Sequence, residues 1–188
     1  MEPHMAPNDL QMFYTYLDKA TNYFEFGSGG STYQAIKRAN LQSIISVESD
    51  IRWYNRIKDL IGVDSRLNYK YVDIKAAANN WGRPGPGSTL EQWKEYSETI
   101  CDTNLPKIDY ILIDGRFRVA CCLKSFNILD ENGFIAFDDF LNRPIYHVVL
   151  NYFEVVKRTV DSRMVILKKR VCNSPSAELI EKYEKDFD

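Results

Sequence analysis

The sequence predicts an α/β fold: a mostly parallel sheet with helices on both faces and an antiparallel hairpin at its end. Three observations carry this expectation. β-rich segments alternate with helical periodicity through residues 23–137. The run Tyr23-Phe24-Glu25-Phe26-Gly27-Ser28-Gly29-Gly30-Ser31-Thr32 reads as a buried strand ending in a carboxylate, then a glycine turn, then a helix. Two β-rich runs, 153–160 and 164–169, flank Asp161-Ser162-Arg163 and form a hairpin, so one of its strands must oppose the rest.

Taken in order, Asn8 or Asp9 is placed to cap a first helix running to about Ala20, with Leu10, Phe13, Tyr14 and Leu17 facing the sheet. Strands are expected at 23–26, 43–47, 69–73, 108–113 and 134–137, with helices at 31–39, 51–60 and 119–128 between them. Pro144 at a first turn opens a further helix bearing His147. Residues 76–104 interrupt the alternation with Trp81-Gly82-Arg83-Pro84-Gly85-Pro86-Gly87, then a helix from Ser88 or Thr89 capped in the S/T-x-x-E style. Trp81 and Trp93 suit a lid or acceptor wall better than a solvated linker. The tail 174–188 has helical spacing at Leu179, Ile180 and Tyr183 but is strongly charged, so loose docking or fraying is expected.

Composition bounds the class. A chain of 188 residues, 45% hydrophobic and 13% aromatic, fits one globular domain over 1–188. The net charge of -2 and the lack of a long Lys/Arg run argue against a nucleic-acid partner. Cys101, Cys121, Cys122 and Cys172 have neither metal-ligand spacing nor the density of a disulfide framework, and read as reduced thiols. No apolar run is long enough to cross a bilayer, and Met1 to Leu10 lacks an apolar signal core. A soluble cytoplasmic protein without a membrane partner is the expectation.

Glu25 separates two kinds of cofactor. A dinucleotide lays its pyrophosphate on such a turn, where a carboxylate repels it, and the third glycine of the dinucleotide pattern is replaced by Thr32. S-adenosylmethionine brings an ammonium and a sulfonium instead. The segment resembles the first motif of class I S-adenosylmethionine-dependent methyltransferases. Five parallel strands and a terminal hairpin look like the Rossmann-like, seven-stranded sheet of that family. The resemblance implies Glu25 at the cofactor's amino group, with Gly27, Ser28, Gly29 and Thr32 around the turn. Glu48, about twenty residues beyond Gly27, is placed for the ribose hydroxyls, as it also would be in a dehydrogenase. Ser49 lies beside it, Asp73 is placed to reach the adenine amino group or to cap its loop, and Ile74 to pack on the base.

Asp114 follows the fourth strand and Asp138 and Asp139 follow the fifth, so three carboxylates meet at adjacent strand tips and need a divalent cation, Arg116 or Arg118, or the cofactor's charge. The pattern resembles metal-dependent small-molecule O-methyltransferases, which implies magnesium or manganese on Asp114, Asp138 and Asp139. Gly115-Arg116 and the long insertion depart from that family. Asp114, Asp139 and His147 are candidates to take an acceptor proton, and Trp81, Arg116 and Arg118 to hold the acceptor. The segments DGRFRVACCLKS, GFIAFDDF and RPIYHVV, within 108–149, look like methyltransferases of glycan and cell-surface sugar biosynthesis, including the methyltransferase domain of a large chlorella-virus glycosyltransferase protein. That resemblance implies O-methylation of a sugar or oligosaccharide acceptor, within a larger glycosyltransferase polypeptide or a homodimer. The alternatives are a metal-dependent enzyme with a non-sugar acceptor, an NAD-dependent oxidoreductase, and a noncatalytic cofactor-binding protein.

Overall fold

The computed structural model describes residues 1–78, 80–105 and 107–187; Asn79 in the expected insertion, Pro106, and Asp188 in the expected tail lie outside the described residues. The elements run α1 (Pro7–Leu17), β1 (Asn22–Phe26), α2 (Gly30–Ile36), β2 (Ser43–Glu48), α3 (Ile51–Ile61), β3 (Leu67–Tyr71), α4 (Leu90–Glu98), β4 (Ile108–Ile113), α5 (Arg118–Ser125) and β5 (Leu129–Phe137). A 3-10 helix (Pro144–Asn151), β6 (Phe153–Lys157), β7 (Val165–Lys169) and α6 (Ala177–Glu184) complete the chain.

The seven strands form one sheet in the order β3-β2-β1-β4-β5-β7-β6. β1 to β5 pair in parallel, and β7 lies antiparallel between β5 and β6. Side chains alternate across the pleat, so each central strand feeds two cores. Phe24, Phe26, Ile111, Ile113, Ile135 and Phe137 pack on one face under α4, α5 and α6 residues. Tyr23, Tyr110, Leu112 and Ala136 pack on the other against Met12, Phe13 and Leu17 of α1.

Local differences from the expected elements have identifiable causes. α1 begins at Pro7 with no side-chain cap. Asp9 is instead buried, accepting from Ser162 Oγ and from the Arg163 amide at 3.1 Å, while Asn8 donates to the Val160 carbonyl at 3.1 Å. Both reach across to the β6–β7 turn. β3 starts and ends two residues early, at Leu67 and Tyr71, because it pairs from Ile44↔Leu67 to Glu48↔Tyr71. β6 stops at Lys157 after a register irregularity near Val155. α4 is capped as expected, with Gln92 in the acid's place: Thr89 N donates to Gln92 Oε1 at 3.0 Å. The tail is docked rather than frayed, since buried Glu184 accepts from Lys124 Nζ at 2.6 Å and Tyr183 joins the core.

Candidate functional site

In open α/β sheets ligands bind beyond the carboxyl ends of the strands where strand order reverses. Here the reversal falls between β1 and β4. Gly27, at φ +90°, closes the β1 turn so tightly on β4 that an added Cβ would lie 2.9 Å from the Asp114 carbonyl carbon and the Gly115 amide. Gly29 differs: an added Cβ would meet only the Trp53 ring, at 3.7 Å, so the space above it is open. Phe117 (φ 53°) and Asp139 (φ 57°) also adopt left-handed backbone, at the β4 and β5 tips. Strain of this kind in non-glycine residues gathers where surrounding structure holds a site in shape.

On the β1–β2 side, Glu48 is nearly buried at the end of its strand and accepts four hydrogen bonds. Ser28 donates through its amide at 3.1 Å and its hydroxyl at 2.8 Å, and the amides of Ser49 and Asp50 donate at 2.7 and 2.8 Å. Burial raises its pKa and these bonds oppose the rise. Ser28 is held in turn by the Tyr69 hydroxyl at 2.7 Å and by Trp53 Nε1, which donates to its carbonyl at 2.8 Å. Tyr69 and Trp53 were invisible as site residues in the sequence, because neither belongs to a motif. Ser49 is buried beneath the insertion, its hydroxyl donating to the Gly82 carbonyl at 3.4 Å.

Two expected cofactor contacts, Glu25 and Ile74, are buried away from the edge. Glu25 has no exposed surface; its carboxylate accepts from Tyr23 at 2.8 Å and from Thr32, under the start of α2. Burial raises its pKa, while the hydroxyls of Ser46, Thr32, Ser31 and Tyr23 oppose that shift. Glu25 therefore braces the glycine turn from below, with Thr32 as the link. Strand alternation explains it, since Tyr23 shares its face and Ser46 is its register partner. Ile74 is fully buried in the core and presents no face to a base. Asp73 is ion-paired to Lys75 at 2.6 Å, which lowers its pKa, and accepts from the Lys75 amide at 2.9 Å, the loop-capping contact that was one of its two expected roles.

The three acids at the β4 and β5 tips do converge, but on Arg118. Its guanidinium lies 3.1 Å from Asp114, 3.5 Å from Asp139 and 4.0 Å from Asp138, and donates to the carbonyls of Gly115 at 2.9 Å and Asp138 at 2.7 Å. The expected metal set is thereby corrected: a guanidinium occupies the centre a cation would need. Among the described residues no group of three His, Cys, Asp or Glu side chains is arranged to hold a metal ion. Arg118, 3% exposed, staples the β4 and β5 tips together and does not hold an acceptor as expected. Arg143 and Arg163 each approach Asp139 at 3.3 Å.

Asp138 is pushed up to about 8, first by burial and then by the charges of Asp114 and Asp139. Burial also raises the pKa of Asp114, and the Arg118 guanidinium opposes that rise. Of the three acids Asp114 has the most accessible side chain, at 34%. His147 lies beside this group with Nε2 held 3.1 Å from the Phe140 carbonyl and its ring against Phe140. That contact orients the ring by packing and occupies one of its two nitrogens. Arg116 is buried, 8% exposed, between the α4 and 3-10 helix tyrosines Tyr96 and Tyr146.

No protein-family model matches the chain, and no curated protein matches it in sequence. Solved structures do. A methyltransferase-like protein from Silicibacter pomeroyi superposes with a TM-score of 0.86 over 98% of this chain and 97% of that one, at 24% identity. An rRNA methylase from Streptococcus thermophilus gives 0.54 over 88% and 98%, at 10% identity. The N-methyltransferase NodS from Bradyrhizobium japonicum, complexed with S-adenosyl-L-homocysteine, gives 0.50 over 85% and 82%, at 11% identity. The chain has the Rossmann-like methyltransferase fold. Within that fold, its glycine turn, Glu48 and the acid–arginine group all lie on one edge of the sheet, at the carboxyl ends of β1, β2, β4 and β5. Among the described residues no helix is long and apolar enough to cross a membrane.

Proposed function

We propose that this chain is an S-adenosylmethionine-dependent O-methyltransferase acting on a hydroxyl of a sugar or oligosaccharide. The observation that carries the cofactor half is β7, antiparallel between β5 and β6, beside a glycine turn at the β1/β4 reversal. The dinucleotide-binding fold orders six parallel strands instead, which disfavours an NAD-dependent oxidoreductase. The residues present fit the cofactor: open space above Gly29, hydroxyl and carboxylate groups at the β2 tip, and an accessible acid at the β4 tip. The sugar acceptor rests on the resemblance carried by residues 108–149.

When bound, S-adenosylmethionine supplies an already activated methyl group. Glu48 and Ser28 would hold the ribose, with a Glu48 bond to Ser28 exchanged for one to a ribose hydroxyl. Asp114, accessible beside the Gly27 turn, would hold the cofactor's ammonium. The acceptor hydroxyl would lose its proton as its oxygen bonds to the methyl carbon and the carbon–sulfur bond breaks, with S-adenosylhomocysteine as the leaving group, and the acid group at the β4 and β5 tips would take that proton. Asp114 or Asp139 would accept it. Arg118 keeps both carboxylates in position throughout.

Calorimetric titration with S-adenosylhomocysteine, followed by a transfer screen over sugar and nucleotide-sugar acceptors in EDTA, tests the reading. Binding of S-adenosylhomocysteine but not NAD, with methyl transfer that survives chelation, is the expected result. No affinity for S-adenosylhomocysteine would sink it, and turnover restored only by magnesium or manganese would overturn the role given to Arg118.

A further inference from the structure

Arg116 and Arg118 are two residues apart and have opposite circumstances. Arg118 bonds three carboxylates and three carbonyls, whereas Arg116, also buried, has no carboxylate within ion-pairing distance among the described residues. Its Nε is buried without any hydrogen-bond partner. A guanidinium in that state is costly, because burial without a counter-ion loses hydration and gains nothing in exchange.

The surroundings increase the cost. Burial, and then the nearby charges of Arg118 and Arg83, push the Arg116 pKa down. Arg116 also precedes the N-terminus of α5, the end of a helix that disfavours a cation and attracts an anion. The cap residue there, Phe117, offers no side-chain acceptor to the first turn. The guanidiniums of Arg118, Arg143 and Arg163 already converge on Asp114 and Asp139, Arg116 adds a fourth positive charge beside Asp114, and burial pushes Asp138 toward its neutral form. The β4–β5 corner therefore gathers four guanidiniums around three carboxylates and leaves the Arg116 Nε donor unsatisfied.

We propose that Arg116 is the counter-ion for an anionic group, a carboxylate or a phosphate, that a ligand brings to the β4 tip. The inference rests on the proposed methyltransferase reading only in taking this edge as the ligand site. Two ligands can supply the group: the amino-acid carboxylate of the cofactor, whose ammonium Asp114 would hold, or a phosphate or carboxylate on the acceptor, as in a nucleotide sugar.

Titrations of the intact chain and of Arg116→Gln with S-adenosylhomocysteine, 5′-methylthioadenosine and pyrophosphate separate these cases. 5′-Methylthioadenosine keeps the nucleoside and sulfur and lacks the amino-acid tail. A cofactor carboxylate predicts that Arg116→Gln weakens S-adenosylhomocysteine by about 10- to 150-fold, the range for a charge-assisted hydrogen bond, and leaves 5′-methylthioadenosine unchanged. An acceptor anion predicts unchanged affinity for both nucleosides, with pyrophosphate binding to the S-adenosylhomocysteine-saturated wild type and lost in the variant. Arg116→Lys, which keeps the charge, is expected to retain part of the affinity in either case and serves if the Gln variant does not fold. Folded variants that bind all three probes as the wild type does overturn the proposal. Wild type that binds pyrophosphate through Arg116 but never S-adenosylhomocysteine would refute the methyltransferase reading and leave the anion site standing.

Discussion

Asp138 shows how much a single residue here depends on its neighbours. It is buried beside two other carboxylates, and the guanidinium that neutralises the group lies closer to Asp114 and Asp139 than to it. Holding a proton is the cheaper way to be buried there. An acid whose pKa is raised on folding keeps a proton that the unfolded chain releases, so its contribution to stability is full below about 4, the unfolded value, and is lost as pH rises toward about 8. Asp138→Asn mimics the neutral acid and should remove this dependence. Thermal unfolding from pH 5 to pH 8 is expected to show the variant gaining on the wild type as pH rises. Parallel profiles would mean that Asp138 is ionised in the folded chain.

At the scale of the turn and its elements, Gly27 and Gly29 look alike in sequence and differ in structure. Gly27 combines left-handed backbone with β4 backbone at 2.9 Å from an added Cβ, so Gly27→Ala should force β1 and β4 apart and destabilise by more than about 1 kcal/mol in urea denaturation. Gly29→Ala meets nothing of the protein closer than 3.7 Å, so it should fold normally and lose affinity for S-adenosylhomocysteine. Equal affinities for wild type and Gly29→Ala would place the cofactor away from this turn. The element order was legible because hydrophobic period switches between 2 and 3.6 along the chain, and the convergence of Asp114, Asp138 and Asp139 was legible because all three follow strand ends. What was not legible depends on direction or distant pairing. Insertion of β7 between β5 and β6 leaves no local pattern, Glu25 turns away from the ligand edge because the pleat puts it with Tyr23, and nothing in Arg-Phe-Arg says that Arg118 has carboxylate partners while Arg116 has none among the described residues.

On the scale of the whole molecule, the ligand edge divides at the β1/β4 reversal, and the turn of the insertion at 76–84 falls on the β2 side of it. Ala76 pairs with Pro84 across the loop, and the tip turns back so that an added Cβ on Gly82 would lie 2.9 Å from Ser49 Oγ and 4.0 Å from Glu48. The N-terminal segment reaches the same side, with Glu2 and Pro3 packed on Gly30 and His4 6.2 Å from the Trp81 ring. Under the proposed function those contacts frame the cofactor half of the edge. The half over β4 and β5, proposed for the acceptor, is bordered by Tyr96, the 3-10 helix, Arg143 and Arg163. The tip that carries Trp81, expected from sequence at the acceptor wall, lies over the β2 tip. Because the indole is 80% exposed, Trp81→Ala should fold like the wild type. If the indole closes over the nucleoside, the variant loses about 0.5–1.5 kcal/mol of S-adenosylhomocysteine affinity, the range for one aromatic contact, and keeps its acceptor KM. A raised acceptor KM with unchanged cofactor affinity would return Trp81 to the acceptor wall and assign the cover to other residues of the loop.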